Sequence, residues 1–316
     1  MNPLSGIFGG AVAVRNSLYD RRWLKIHKLA KPVVSVGNIS VGGSGKTPFV
    51  IALGELLKER GITFDILSRG YGRGSKAVLV VNPEGTALDF GDEPLLMARK
   101  LQVPVVVGAD RYQAGLLAEK KFSSQLHLLD DGFQHRRLHR DCDIVMLPEA
   151  DLQDTLLPVG LLREPQASLD RADVLVVDPG VNIPERFAGK QIWNVSRTLD
   201  VPATSGRALA FCGIARPDQF FAQLRSQPVE LVGTHAFADH HRYSSSDIQL
   251  LFGKKQQSQA EYFITTEKDE VNLRACALAD QLGSVRIARL NTTLENSGTA
   301  MLWLISTLER RCDCRF

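Results

Sequence analysis

The run Ser40-Val41-Gly42-Gly43-Ser44-Gly45-Lys46-Thr47 constrains the chain most, because of what flanks it. Upstream, Pro-Val-Val-Ser-Val-Gly at 32–37 reads as a buried strand. Downstream, apolar residues recur at helical spacing over 48–60, with Gly61 as a C-terminal stop. A strand, a glycine-rich turn and a helix in that order form a P-loop. Its backbone N–H groups converge on phosphate oxygens at the helix N-terminus, Lys46 reaches the β- and γ-phosphates, and Thr47 offers a hydroxyl to magnesium. Ser40 stands where the general pattern has its first glycine. The ligands implied are a nucleoside triphosphate, ATP in the simplest case, and Mg2+; the chemistry implied is phosphoryl transfer.

Further strands are expected at 62–67, 103–107, 126–129, 143–147 and 174–177, with helical stretches between them. That alternation predicts an α/β fold, a P-loop NTPase-type parallel sheet whose ligands sit at the carboxyl ends of the strands. A chain of 316 residues exceeds what one core usually serves. Composition shifts at 200–207, where Pro202, Ser205 and Gly206 cluster, and a second strand series follows at 208–211, 229–232, 262–265 and 285–288. The expected division is an amphipathic N-terminal helical segment at 1–31, a P-loop domain at 32–199, a linker at 200–207 and a second, smaller α/β domain at 208–316.

Hydrophobic residues at 44% and charged residues at 23% argue against long disorder. The five cysteines are scattered without the paired CxxC units of a structural zinc site, which suits a reducing compartment. Cys312-Asp313-Cys314 has no second ligand pair nearby and receives no role. The formal net charge of +3 is uneven, since the first 31 residues hold six lysines and arginines against Asp20 alone. No basic stripe with interleaved aromatics follows, so no nucleic acid partner is expected. In that first segment Leu4, Ile7, Phe8, Ala11 and Val12 share one helical face, ahead of Arg21-Arg22-Trp23-Leu24-Lys25. The apolar run is shorter than the roughly 20 residues that span a bilayer. Two placements remain open for it: flat in the headgroup region of an anionic membrane, or docked on the protein's own core.

Leu126-His127-Leu128-Leu129-Asp130-Asp131 is an apolar strand ending in carboxylates, the arrangement that holds magnesium beside a γ-phosphate in P-loop enzymes. The alternative is two aspartates capping the turn at Gly132. Gly91-Asp92-Glu93-Pro94 reads as a helix start, with Asp92 or Glu93 as cap. Asp239-His240-His241 precedes Ser244-Ser245-Ser246-Asp247, a capping box, and reads as a solvated loop. Arg163-Glu164 is a surface ion pair or, beside a triphosphate, a charge stabiliser.

The ordered set SVGNISVGGSGKTP, LSRGYGR, GDEP, LLDDGFQHRRLHRDCDIV, LPVGLLREP, FADHHRYS and ITTEKD resembles the tetraacyldisaccharide 4′-kinase family of lipid A biosynthesis over 32–269. The N-terminal segment is similar to that family's membrane-associated helix, and Ser40 to the family's own P-loop pattern. The resemblance implies transfer of the ATP γ-phosphate to the 4′-hydroxyl of an acylated glucosamine disaccharide 1-phosphate, giving lipid IVA at the cytoplasmic face of the bacterial inner membrane. It implies a lipid disaccharide and an anionic membrane surface as partners, and no obligate protein partner. It also implies a catalytic dyad of Asp92 and His240, metal or nucleotide-side carboxylates at Asp130, Asp131 and Glu164, and substrate-side roles for Arg69 and Arg163. Competing classes are a P-loop ATPase or GTPase switch and a membrane-recruited nucleotide-binding module. Glu267-Lys268-Asp269 lacks the asparagine of a guanine-specificity motif.

Overall fold

Six residues of almost unbroken apolar character, Val33–Asn38, lie at the middle of the sheet and are buried along their whole length. A strand covered on both faces has no need of polar alternation. The computed structural model describes residues 3–202, 205–276 and 278–316. Residues 1 and 2 of the expected N-terminal segment and 203 and 204 of the expected linker lie outside the described residues.

The first half of the chain runs α1 (Pro3–Asp20), β1 (Val33–Asn38), α2 (Lys46–Glu59), β2 (Phe64–Ser68), β3 (Leu79–Val80), α3 (Ala87–Phe90), α4 (Asp92–Leu101), β4 (Val105–Val107), α5 (Arg111–Lys121), β5 (Leu126–Asp130), β6 (Cys142–Met146) and β7 (Val174–Val177). It continues as β8 (Gln191–Asp200), β9 (Arg207–Cys212), α6 (Pro217–Arg225), β10 (Glu230–Ala236), α7 (Ser245–Ser258), β11 (Tyr262–Thr266), α8 (Glu267–Ala275), β12 (Val285–Leu294) and α9 (Ser297–Cys312). The strands form one sheet in the order β10-β9-β11-β12-β8-β7-β6-β1-β5-β2-β4-β3. Among the described residues its pairings are parallel except β3–β4 and β8–β12. The mostly parallel α/β fold and the N-terminal helix are as the strand and helix periodicities foretold.

β8 was not expected from the sequence. Trp193, Val195 and Leu199 are its buried side chains, and the residues between them are more exposed, a period-two pattern that carries a strand covered on one face. Gln191–Asn194 pair with β7, and Val195–Asp200 run antiparallel to the far end of β12. β12 accordingly extends well beyond the 285–288 that its apolar residues suggest. α9 packs far from the strands that begin the expected 208–316 unit. Its Met301, Leu304 and Leu308 are fully buried in the cluster formed by α2, β1 and β6, and Trp303 meets Trp193 edge-on at 6.1 Å. Each such side chain contributes roughly 1.5–3 kcal/mol on burial. The chain's last helix therefore belongs to the P-loop core.

α1 docks on the body and also keeps an apolar outer side. Val12 and Asn16 are buried, Ser5 Oγ donates to the Leu156 carbonyl at 3.0 Å, and Arg136 grips both the Asn16 carbonyl and Asp20. Leu4, Ile7 and Val14 point outward at 60%, 72% and 61% exposure. The one-face expectation thus splits, Val12 turning inward and Leu4 and Ile7 outward. Among the described residues no helix is long and apolar enough to cross a membrane.

A buried charge network ties β2, β5 and α5 together beneath the site. His127 Nδ1 lies 2.7 Å from Asp65 Oδ1, and its Nε2 lies 3.4 Å from Glu119 Oε1. Burial alone would lower the imidazole, but the hydrogen bonds and charges of Asp65 and Glu119 outweigh it and hold its pKa above the ordinary 6.5. A raised folded-state pKa gives stability that is complete below the unfolded value and lost as pH rises through the folded value. His127→Gln is therefore expected to destabilise the protein more at about pH 5.5 than at about pH 9, read by urea unfolding. A pH-independent difference would mean that the ring stays neutral in the fold.

Candidate active site

The P-loop joins β1 to α2, at the carboxyl end of the sheet's central strand. Gly45, the residue before the helix, takes φ +80°, and no side chain caps the first turn. The helix amides there stay open to an anion. Lys46 Nζ lies 3.1 Å from Asn38 Oδ1, 3.5 Å from Ser44 Oγ and 3.4 Å from Asp131 Oδ1. Ser40 has a use of its own: its hydroxyl donates to Asp151 at 2.7 Å and accepts from Asn38 Nδ2 at 3.2 Å. A glycine would break that buried chain, which continues to Arg216 at 3.7 Å from Asp151. Arg197 of β8 ion-pairs with Asp178 and lies over the loop, its Nη2 3.5 Å from the Ser44 carbonyl.

Asp130 closes β5, and Asp131 follows it at φ +50°. Ser68 at the end of β2 donates to Asp130 Oδ2 at 2.8 Å, and the buried Oδ1 has no hydrogen-bond partner. Burial, with the nearby charges of Glu93 and Asp131, pushes the Asp130 carboxyl up to about 7. Burial acts on Asp131 too, but Lys46 and Arg163 outweigh it and hold Asp131 below the usual carboxylate range. An orphaned carboxylate oxygen beside a second carboxylate is the environment that a hard divalent cation would relieve. Asp130 and Asp131 therefore fit magnesium, and in the P-loop Thr47 follows Lys46, whose ammonium already lies 3.4 Å from Asp131.

Glu164 does not join them. Its carboxylate is fully buried against Arg171 at 2.9 Å, Asn16 of α1 at 2.8 Å and Arg15 at 3.6 Å. Those partners hold its charge, although its Oε1 accepts no hydrogen bond. The contacts of Glu164 run to Arg171 and to Arg15 and Asn16 of α1. Its neighbour Arg163 does reach the site, donating to Asp131 Oδ2 at 3.1 Å. Arg69 is exposed just past β2, near Arg111.

The second cluster spans the two halves of the sheet. Asp92 opens α4 and His240 lies in the loop after β10, with His240 Nδ1 2.9 and 3.0 Å from the two Asp92 oxygens. His240 sits at φ +56°, its N–H donating to the Gly213 carbonyl at 3.2 Å. Gly213 is in turn held through its own N–H by buried Asp269 at 2.8 Å. Asp92 also accepts from Glu93 N at 2.9 Å and from Asn272 Nδ2 at 3.2 Å. It serves the first turn of α4 as the cap reading required, but Gly91 is the residue at the cap position. Burial would raise the Asp92 carboxyl; the His240 hydrogen bond and the Lys268 charge reverse that and leave it lowered. Burial would lower His240, and Asp92 raises it overall. His241 turns away to Asp247 at 3.1 Å and stacks on Phe237, completing the Ser244–Asp247 cap.

The sequence reading missed Asn38, Arg111, Arg197 and Lys268. Asn38 and Arg111 are buried, and both had a signal available: a polar residue ending an apolar strand, and a cation opening a helix behind Asp110.

A P-loop with paired carboxylates at the carboxyl edge of a parallel α/β sheet defines a P-loop nucleoside-triphosphate-binding protein. The family model described as tetraacyldisaccharide-1-P 4'-kinase (LpxK) matches residues 1–308. The chain is 48% identical to the tetraacyldisaccharide 4'-kinase of Koribacter versatilis over 323 residues, spanning 98% of this chain and 99% of that one. It is 41% identical to the enzyme of the same description from Aquifex aeolicus over 290 residues, spanning 86% and 89%. A crystal structure of the "apo" form of LpxK from Aquifex aeolicus in complex with ATP matches with a TM-score of 0.79 at 37% identity, over 97% of this chain and 98% of that one. The chain belongs to the tetraacyldisaccharide-1-P 4'-kinase family.

Gly91 lets Asp92 reach its place. At φ +91°, a Cβ there would lie 3.0 Å from the Tyr71 carbonyl oxygen and 3.1 Å from Gly70 Cα. Gly61 has φ +69° and open space around it, so alanine there meets strain without a clash. Urea unfolding should show Gly91→Ala destabilising by roughly 1–3 kcal/mol more than Gly61→Ala. Equal losses would mean that the backbone at 70–71 yields freely.

Proposed function

We propose that this chain transfers the γ-phosphate of ATP to the 4′-hydroxyl of a tetraacylated glucosamine disaccharide 1-phosphate. The observation that carries the reading is the Asp92–His240 pair, drawn from two halves of a P-loop enzyme of this family. A sugar hydroxyl is a weak nucleophile, and a carboxylate within reach must take its proton as the oxygen attacks γ-phosphorus. Asp92 is the proton acceptor: it is ionised at neutral pH, and His240, Asn272 and the α4 N-terminus hold it in place. The hydroxyl oxygen gains a bond to γ-phosphorus, the bond from γ-phosphorus to the bridging oxygen breaks, ADP leaves, and the proton rests on Asp92. Lys46 and the P-loop amides hold the phosphates, and Arg163, already oriented by Asp131, adds positive charge. Thr47, Asp130 and Asp131 would hold magnesium, which would supply charge neutralisation on the triphosphate.

The outward side of α1, with Leu4, Ile7 and Val14, and exposed Trp23 beside Arg21, suits peripheral attachment at the cytoplasmic face of the inner membrane. The domain division is carried into this reading with one change. The unit beginning at 208 ends with β12, and α9 moves with the P-loop core. Arg69 is assigned to the acceptor side, beyond the end of β2.

Incubation with γ-labelled ATP and a lipid disaccharide 1-phosphate should carry label into the organic phase. Asp92→Ala should lower that transfer by about 10^2–10^4-fold while ATP affinity stays near that of the parent. Label found only in inorganic phosphate would favour an ATPase, and equal losses of transfer and ATP affinity would remove Asp92 from the chemical step.

A further inference from the structure

Lys268, near the start of α8, stretches out of its own half of the sheet into the first. Its side chain is 16% exposed, and its Nζ lies 3.0 Å from Asp239 Oδ1, 3.4 Å from Glu93 Oε1 and 3.9 Å from Asp92 Oδ2. The same nitrogen is 3.2 Å from His240 Nε2. An ammonium carries donors and no acceptor, so in the neutral ring Nε2 offers its lone pair and the proton sits on Nδ1. Nδ1 is the nitrogen that faces Asp92.

We propose that Lys268 is a positioning residue for the phosphoryl transfer, holding His240 in the tautomer that donates to Asp92 and supplying the positive charge that this pair shares across the two halves. The proposal rests on the kinase reading above. Among the described residues, Lys268 is the one cation besides His240 within ion-pair distance of Asp92. The other charged groups around it are accounted for. Glu93 faces it from α4 and Asp239 from the His240 loop; Glu267 is taken by Lys100 at 2.7 Å and Arg289 at 3.8 Å. Asp269 turns inward to Gly213, Tyr243 and Thr266. With the lysine gone, Asp92, Glu93 and Asp239 would face one another with only the imidazole between them. That loss disfavours the Asp92 carboxylate and allows the ring to turn its proton to Nε2. The surrounding carboxylates also keep Lys268 charged, since their pull outweighs the burial that would lower it.

The test compares Lys268→Met and Lys268→Arg by the pH dependence of labelled-phosphate transfer at saturating ATP, with 15N NMR of His240 in the unmodified protein as a second readout. Lys268→Met should move the acid limb of kcat/KM for the lipid acceptor upward by roughly one pH unit and leave the KM for ATP unchanged. Lys268→Arg keeps the charge and should restore the limb. Above the titration of the imidazole, the NMR spectrum should show the Nδ1–H form. A Lys268→Met profile lowered evenly at all pH values, or an Nε2–H form in the unmodified protein, would overturn the proposal. Absent transfer by the unmodified protein would overturn the kinase reading instead, and the tautomer is read without turnover.

Discussion

Midway along its length β8 exchanges one partner for another, leaving β7 after Asn194 and running antiparallel to β12 from Val195. On either side of that seam the strands are parallel within their own half, apart from the short β3. The seam makes one sheet of two α/β halves, and α9 then returns across it to pack under the P-loop helix. Contacts between α4 and α8, including Asn272 to Asp92 and Lys100 to Glu267, close the gap above it. Nothing local to GDEP or to the Asp239-His240 loop brings them together. Their meeting depends on this ladder and on the buried Asp269–Gly213 hydrogen bond that sets the height of the loop.

The cleft holds carboxylates in two opposite environments. Asp130 is buried beside other carboxylates and tends toward neutrality near pH 7, whereas Asp92 is held ionised by an imidazole, an amide and an ammonium. Environments that push like groups apart assign them different work. In the reading proposed above, the first would serve a divalent cation and the second the acceptor's proton. Glu93 links them, following Asp92 in the chain while its charge reaches Asp130.

What could be read from the sequence was what local spacing encodes. The P-loop, the apolar strands, the Ser244–Asp247 capping box and the α/β class all show in runs of a few residues. β8 hid because six of its ten side chains are polar and it borders a composition shift; its partner lies far along the chain. His240 looked like a solvated loop residue because its partner stands 148 positions away. The family resemblance, and not periodicity, singled it out. Adjacency in the chain is not adjacency in space at Arg163 and Glu164: the first reaches Asp131, and the second turns to Arg171 and α1.

The central claim is that Asp92 and His240, from opposite sides of the seam, act as one unit. A double-mutant cycle on labelled-phosphate transfer tests it most directly. Residues that act as a unit lose their function together, so Asp92→Ala combined with His240→Ala should be about as slow as Asp92→Ala alone. Losses that multiply in the double variant would show two independent contributions and contradict the account.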